Sequence, residues 1–110
     1  MDIQSKEVVT SRYYEVHLVE ILEYSIETFG YVQACKYFNK IAQLVERLDT
    51  YYTCYPPCRH IPTKSRMYRN IILDAHLIIY RITEQRIEVL DIVHSTSSIR
   101  KIRDTRKIRI

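Results

Sequence analysis

The side chains best suited to phosphate chemistry are His94, Arg69 and Arg81, with Lys64 and Arg66 just upstream. Cutting RNA without a metal requires the 2′-hydroxyl to attack the neighbouring phosphate. A base must take the hydroxyl proton, an acid must protonate the leaving oxygen, and cations must balance the charge that builds on the phosphate. His94 suits either proton-transfer role. Lys64, Arg66, Arg69 and Arg81 suit the clamp. Arg69 and Arg81 fall on adjacent predicted strands and can converge on one face. Alternation puts Arg81 on the face of Leu77 and Ile79. The same arginines equally suit cross-strand pairing with Glu88 or Asp91.

Other constellations are weaker. Cys54, Cys58 and His60 have ligand-like spacing, but no fourth zinc ligand follows, so neither a metal nor another cofactor is expected. Cys35 makes the thiol count three, an odd number. With no apolar stretch after the charged start Met1-Asp2-Ile3-Gln4-Ser5-Lys6-Glu7, no signal peptide is read and a reducing cytoplasm is the expected setting. Seven of the ten tyrosines lie on or beside the helical part and read as amphipathic packing residues, with a groove for a partner helix as the alternative. No Ser/His/Asp triad is supported beyond the presence of its residue types.

Charge is unevenly placed. Residues 1–95 hold 11 Lys and Arg against 12 Asp and Glu, whereas residues 96–110 hold six bases and one acid. The net charge of +4 therefore resides in the last 15 residues, which include Arg100, Lys101 and Arg103. Such asymmetry marks either a basic surface for an anionic partner or a solvated tail. With 110 residues the chain reads as one domain, residues 1–110, long enough for a core. Its single glycine excludes glycine-rich phosphate loops. No apolar run approaches the ~20 residues of a membrane span.

The elements that must position these residues follow from periodicity. Glu7–Thr10 reads as a strand and Ser11 as a helix N-cap. Tyr14, Leu18, Ile21, Leu22 and Phe29 form one helical stripe over Arg12–Phe29, and Gly30 follows as a left-handed stop. A second helix is predicted from Tyr31 to about Tyr52, folded back as an antiparallel hairpin. Pro56 and Pro57 end it. Three strands follow, at about Arg66–Leu73, His76–Ile82 and Arg86–His94, joined by short turns into an antiparallel meander. The middle one is apolar on both faces, as a strand covered on each side must be. Residues 96–110 fit a helix turn at Ile99 and Ile102 and a strand at Lys107–Ile110, and the choice stays open. The order β-α-α-β-β-β is an α+β layer, with a helical hairpin on one face of an antiparallel sheet and a basic C-terminal segment.

That order resembles the RelE/ParE superfamily of bacterial toxins from type II toxin–antitoxin modules. The likeness is carried by Leu22–Gly30 with Gln33-Ala34, by Tyr68-Arg69-Asn70-Ile71-Ile72, by His76–Ile82 and by Ile87–His94, and covers about residues 5–100. It implies a growth-blocking toxin neutralised by a cognate antitoxin protein. The RelE-like branch cleaves mRNA on the ribosome and needs no metal. The ParE-like branch inhibits DNA gyrase and has no catalytic site of its own.

Two departures favour the ParE-like branch. RelE-like ribonucleases usually carry an arginine where this chain has Leu77. They also tend to end in an aromatic or histidine cluster, whereas no aromatic residue follows Tyr80 here. Base stacking, worth ~1–3 kcal/mol per base, would lack a late platform. On the ParE-like reading Lys64, Arg66, Arg69, Arg81, His94, Arg100, Lys101 and Arg103 contact the target, which is gyrase. On the RelE-like alternative Arg69, Arg81 and His94 are catalytic and the target is ribosome-bound mRNA. A third reading is a non-toxic protein or nucleic-acid interaction module.

Overall fold

The computed structural model describes residues 4–110. Met1, Asp2 and Ile3, which open the charged start, lie outside the described residues. Strand β1 is Glu7–Thr10, and Ser11 ends it. Ser11 is extended, and its Oγ accepts the Tyr14 N–H at 3.0 Å, satisfying a donor at the start of helix α1, Arg12–Phe29. The same hydroxyl donates to the Leu90 carbonyl, so this cap also ties α1 to the sheet.

Gly30 separates α1 from α2, Tyr31–Glu46. It ends α1 as expected but is not left-handed helical. Its φ of 88° and ψ of 164° lie in a region open essentially to glycine alone. Phe29, placed on the apolar stripe by its spacing, is exposed at the hairpin tip. The predicted second helix is broken. Arg47 closes α2, and the short helix α3, Leu48–Tyr51, carries the chain on.

Strands β2 (Tyr68–Ile72), β3 (His76–Ile82) and β4 (Arg86–His94) form the expected meander. The sheet as a whole is mixed rather than antiparallel. Its order is β1-β4-β3-β2, and β1 runs parallel to β4. A parallel pair needs a long crossover, and the helices and two strands between β1 and β4 supply it. A bulge interrupts β4. Tyr80 pairs with Val89 but Ile79 pairs with Asp91, which leaves Leu90 as the extra residue.

Both faces of the sheet are covered. Tyr14, Ile41, Val45 and Leu48 of the helices pack against Ile78, Tyr80, Val89 and Ile92. On the other face Ile79, Leu90 and Val93 pack against Cys58, Ile61 and Ile102, with Ile108 alongside. Ile102 belongs to α4, Ile99–Asp104, so the open choice in the C-terminal segment resolves as a helix. Ser98 caps it, accepting from the Lys101 N–H at 3.1 Å, and a 3₁₀ turn at Thr105–Lys107 follows. No helix among the described residues is long and apolar enough to cross a membrane.

Candidate functional site

Arg69 and Arg81 do not meet. Tyr68 stands opposite Arg81 and Arg69 opposite Tyr80, so the two arginines leave the sheet on opposite faces. Each is occupied by internal bonds. Arg69 donates to the carbonyls of Arg66, Thr53 and Tyr55 at 3.1, 3.0 and 2.9 Å, and thereby fixes the chain leaving α3. Arg81 is only 7% exposed. Its Nε and Nη2 lie 2.7 Å from Glu88 Oε1, directly across the strands. The cross-strand pairing considered from sequence is thus realised between Arg81 and Glu88.

Glu88 also pairs with Arg86, at 2.7 and 2.9 Å through Oε2. Burial alone would raise its pKa, but hydrogen bonds and charge from Arg81 and Arg86 hold the carboxyl below the usual glutamate range. The guanidinium groups then reach the C-terminal segment. Arg81 donates to the carbonyls of Arg106 and Ile108 at 3.3 and 3.1 Å, and Arg86 to that of Ile110 at 3.0 Å. The basic segment is therefore bound to the sheet. Its charged side chains Arg100, Lys101 and Arg103 are exposed while Ile102 and Thr105 are buried. Lys64 and Arg66 are exposed in the loop before β2, where Arg66 has a positive φ of 55°.

His94 ends β4 and is exposed. Its Nδ1 lies 2.6 Å from Thr96 Oγ1 and accepts the Thr96 N–H at 3.2 Å, so its Nε2 is the nitrogen left outward. Beside it is a residue that the sequence reading missed. His76 stands opposite His94, with the rings edge to face at 5.6 Å. His76 Nδ1 is 2.8 Å from the Tyr37 hydroxyl of α2. Burial first, and His94 second, push the His76 pKa down. A third imidazole, His17 of α1, lies 2.6 Å from Asp91 Oδ1, which also accepts the Ile92 N–H.

These histidines line one open groove of about 780 Å³ between the hairpin, the end of the sheet and α4. Tyr24 and Phe29, each 65% exposed, and Tyr37 give it an aromatic wall, and Lys101 reaches its rim. The tyrosine-lined groove weighed from sequence is present here, lined by only two of the seven tyrosines counted, Tyr24 and Tyr37. Of the predicted site residues, His94 and Lys101 come together in it. Arg69, Arg81, Lys64, Arg66, Arg100 and Arg103 do not line it. Cys58 is buried while Cys54 is exposed, and burial raises the Cys58 pKa. Among the described residues no three His, Cys, Asp or Glu side chains are grouped as metal ligands.

Residues 7–99 match the family described as "ParE toxin of type II toxin-antitoxin system, parDE". The chain belongs to this family. No curated protein matches it in sequence. A chain of the solved "Chromosomal ParDE TA system from P. aeruginosa" has the same fold, with a TM-score of 0.67 at 17% identity, covering 84% of this chain and 98% of that one. The chain is accordingly a ParE toxin of a type II toxin–antitoxin system, and a cognate antitoxin is its partner. The family match stops at Ile99, so α4 and the residues that Arg81 and Arg86 hold lie almost wholly beyond it.

Proposed function

We propose that this ParE toxin blocks growth by binding DNA gyrase in the cytoplasm, as its branch of the superfamily does, and not by cutting mRNA. The observation that carries the reading is the state of the two arginines. A ribonuclease needs cations free to meet a phosphate beside its acid and base. Arg81 is buried against Glu88, Arg69 is bonded to three carbonyls, and they face opposite sides of the sheet. His94 has no guanidinium partner in its groove. The antitoxin's place on this reading is that groove. Its aromatic wall suits an apolar helix face, and Lys101 suits a carboxylate at its edge.

The test is induction of the toxin alone in bacteria, followed by supercoiling assays with purified gyrase. Loss of supercoiling with intact ribosome-bound mRNA is the expected result. Cleavage of mRNA that His94→Ala abolishes would instead establish the RelE-like alternative. Unimpaired growth would leave only the non-toxic interaction module.

A further inference from the structure

The fold sorts charge by layer. Helix α1 carries exposed Glu15, Glu20, Glu23 and Glu27. On the opposite side of the sheet, the loop around Cys58 and Ile61 packs against Ile102 and Ile108 of the C-terminal segment. Loop and segment therefore cover the same face of the sheet. The loop presents Arg59, Lys64 and Arg66, all exposed, and no carboxylate occurs from Thr50 to Leu73. The segment presents Arg100, Arg103 and Arg106, all exposed. Its only acid, Asp104, pairs with Lys107 at 3.4 Å. None of the six side chains named here has a carboxylate partner among the described residues.

This surface is held in place, because the carbonyls of Arg106, Ile108 and Ile110 accept from Arg81 and Arg86. From this geometry we infer that the loop and C-terminal segment bind the phosphate backbone of double-stranded DNA without reading its sequence. Guanidinium forks suit phosphate oxygens, and five of the six side chains are arginine. Duplex DNA carries one charge per ~1.7 Å of axis, and the six residues of α4 extend ~9 Å, so several phosphates lie within reach at once. Single-stranded nucleic acid is disfavoured, because neither residues 58–67 of the loop nor any residue after Tyr80 is a Tyr, Phe or Trp that could stack a base. A protein partner is disfavoured too, since the exposed large apolar residues of the C-terminal segment are Ile99 and Ile110, at its two ends. The inference needs no gyrase and stands or falls separately from it.

The experiment is fluorescence polarisation of a labelled ~30-base-pair DNA duplex titrated with the purified full chain between about 50 and 200 mM salt. Six phosphate contacts predict a slope of log affinity against log salt of about −5. The triple variant R100Q/R103Q/R106Q, checked for native circular dichroism, should flatten that slope by about 2–3. Lys36→Gln with Lys40→Gln, on exposed positions of α2, should leave it unchanged. Absence of binding at the lowest salt, an unchanged slope in the triple variant, or tighter binding to single-stranded RNA of equal length would each overturn the inference.

Discussion

Replacing Glu88 with glutamine removes one charge from the point where strand, strand and C-terminal segment are joined. In the folded chain Glu88 and Arg81 are each 8% exposed at the side chain, whereas Arg86 is 36% exposed. Removing one partner of a buried ion pair costs about 3–5 kcal/mol, because the other charge is left buried without its counter-charge. Arg86 regains water and contributes little. Arg81 keeps its carbonyl acceptors and one amide oxygen, so the loss belongs at the low end, about 3 kcal/mol. For a domain of this size that lowers Tm by roughly 10–15 °C. Urea unfolding should show a lower midpoint with an unchanged m-value. The carboxyl is held below its unfolded pKa, so its contribution is complete above the ordinary glutamate range and is lost as pH falls through that range to the folded value. The variant should lack this acid-side loss. Trypsin should also cut the C-terminal segment faster, since Arg81 and Arg86, which hold its carbonyls, lose the carboxylate charge that anchors both of them. A Tm within 2 °C of the parent, with equal trypsin resistance, would refute the claim that Glu88 holds this end of the molecule together.

Three further outcomes test other parts of the structure. Gly30→Ala meets no atom within 4 Å, yet should lose about 1–3 kcal/mol by urea unfolding, because the cost is conformational. Tyr80→Phe removes the buried hydroxyl that donates to the Tyr52 carbonyl at 2.6 Å and should cost about 1–3 kcal/mol in the same assay. His76 is held below its unfolded pKa, so the unfolded chain binds its proton more readily. Parent stability should therefore fall as pH drops from 6.5 through the lowered folded value, and His76→Gln should flatten the Tm–pH profile there.

Much of the fold was legible because the chain marks its own boundaries. The Ser11 cap, the lone glycine and the turn at Thr83-Glu84-Gln85 delimit α1 as Arg12–Phe29 and the start of β4 at Arg86, as periodicity places them. The run β3, apolar on both faces, correctly required a second covering layer. What that layer was could not be read, since Ile99 and Ile102 fit a helix turn while Lys107-Ile108-Arg109-Ile110 alternates like a strand. Only packing of Ile102 against Ile79, Leu90 and Val93 selects the helix. The parallel pairing of β1 was hidden for a related reason. Four residues of edge strand carry no record of which neighbour they meet.

The site was less legible, and two registers explain why. Asp74-Ala75 is a two-residue turn closed by the Leu73 N–H on the His76 carbonyl at 2.9 Å. Counting back from it pairs Arg69 with Tyr80, not Arg81, so the opposed directions of the arginines were already present in the spacing. The histidine pair is different. Counting from the β3–β4 turn pairs Ile82 with Ile87 and would set His76 against Val93. The extra residue Leu90 shifts the strand by one and brings His94 opposite His76 instead. A bulge lets a buried strand absorb an odd residue while keeping Val89 and Ile92 on the hairpin face. Nothing in a run of apolar residues signals where that happens. A deletion of Leu90 would remove the bulge and leave a regular ladder, with Ile79 still opposite Asp91 and His76 still opposite His94. The edge-to-face contact of His76 with His94, and the share of the His76 pKa depression that comes from His94, would therefore survive the deletion, whereas the twist that the bulge adds to β4 would be lost.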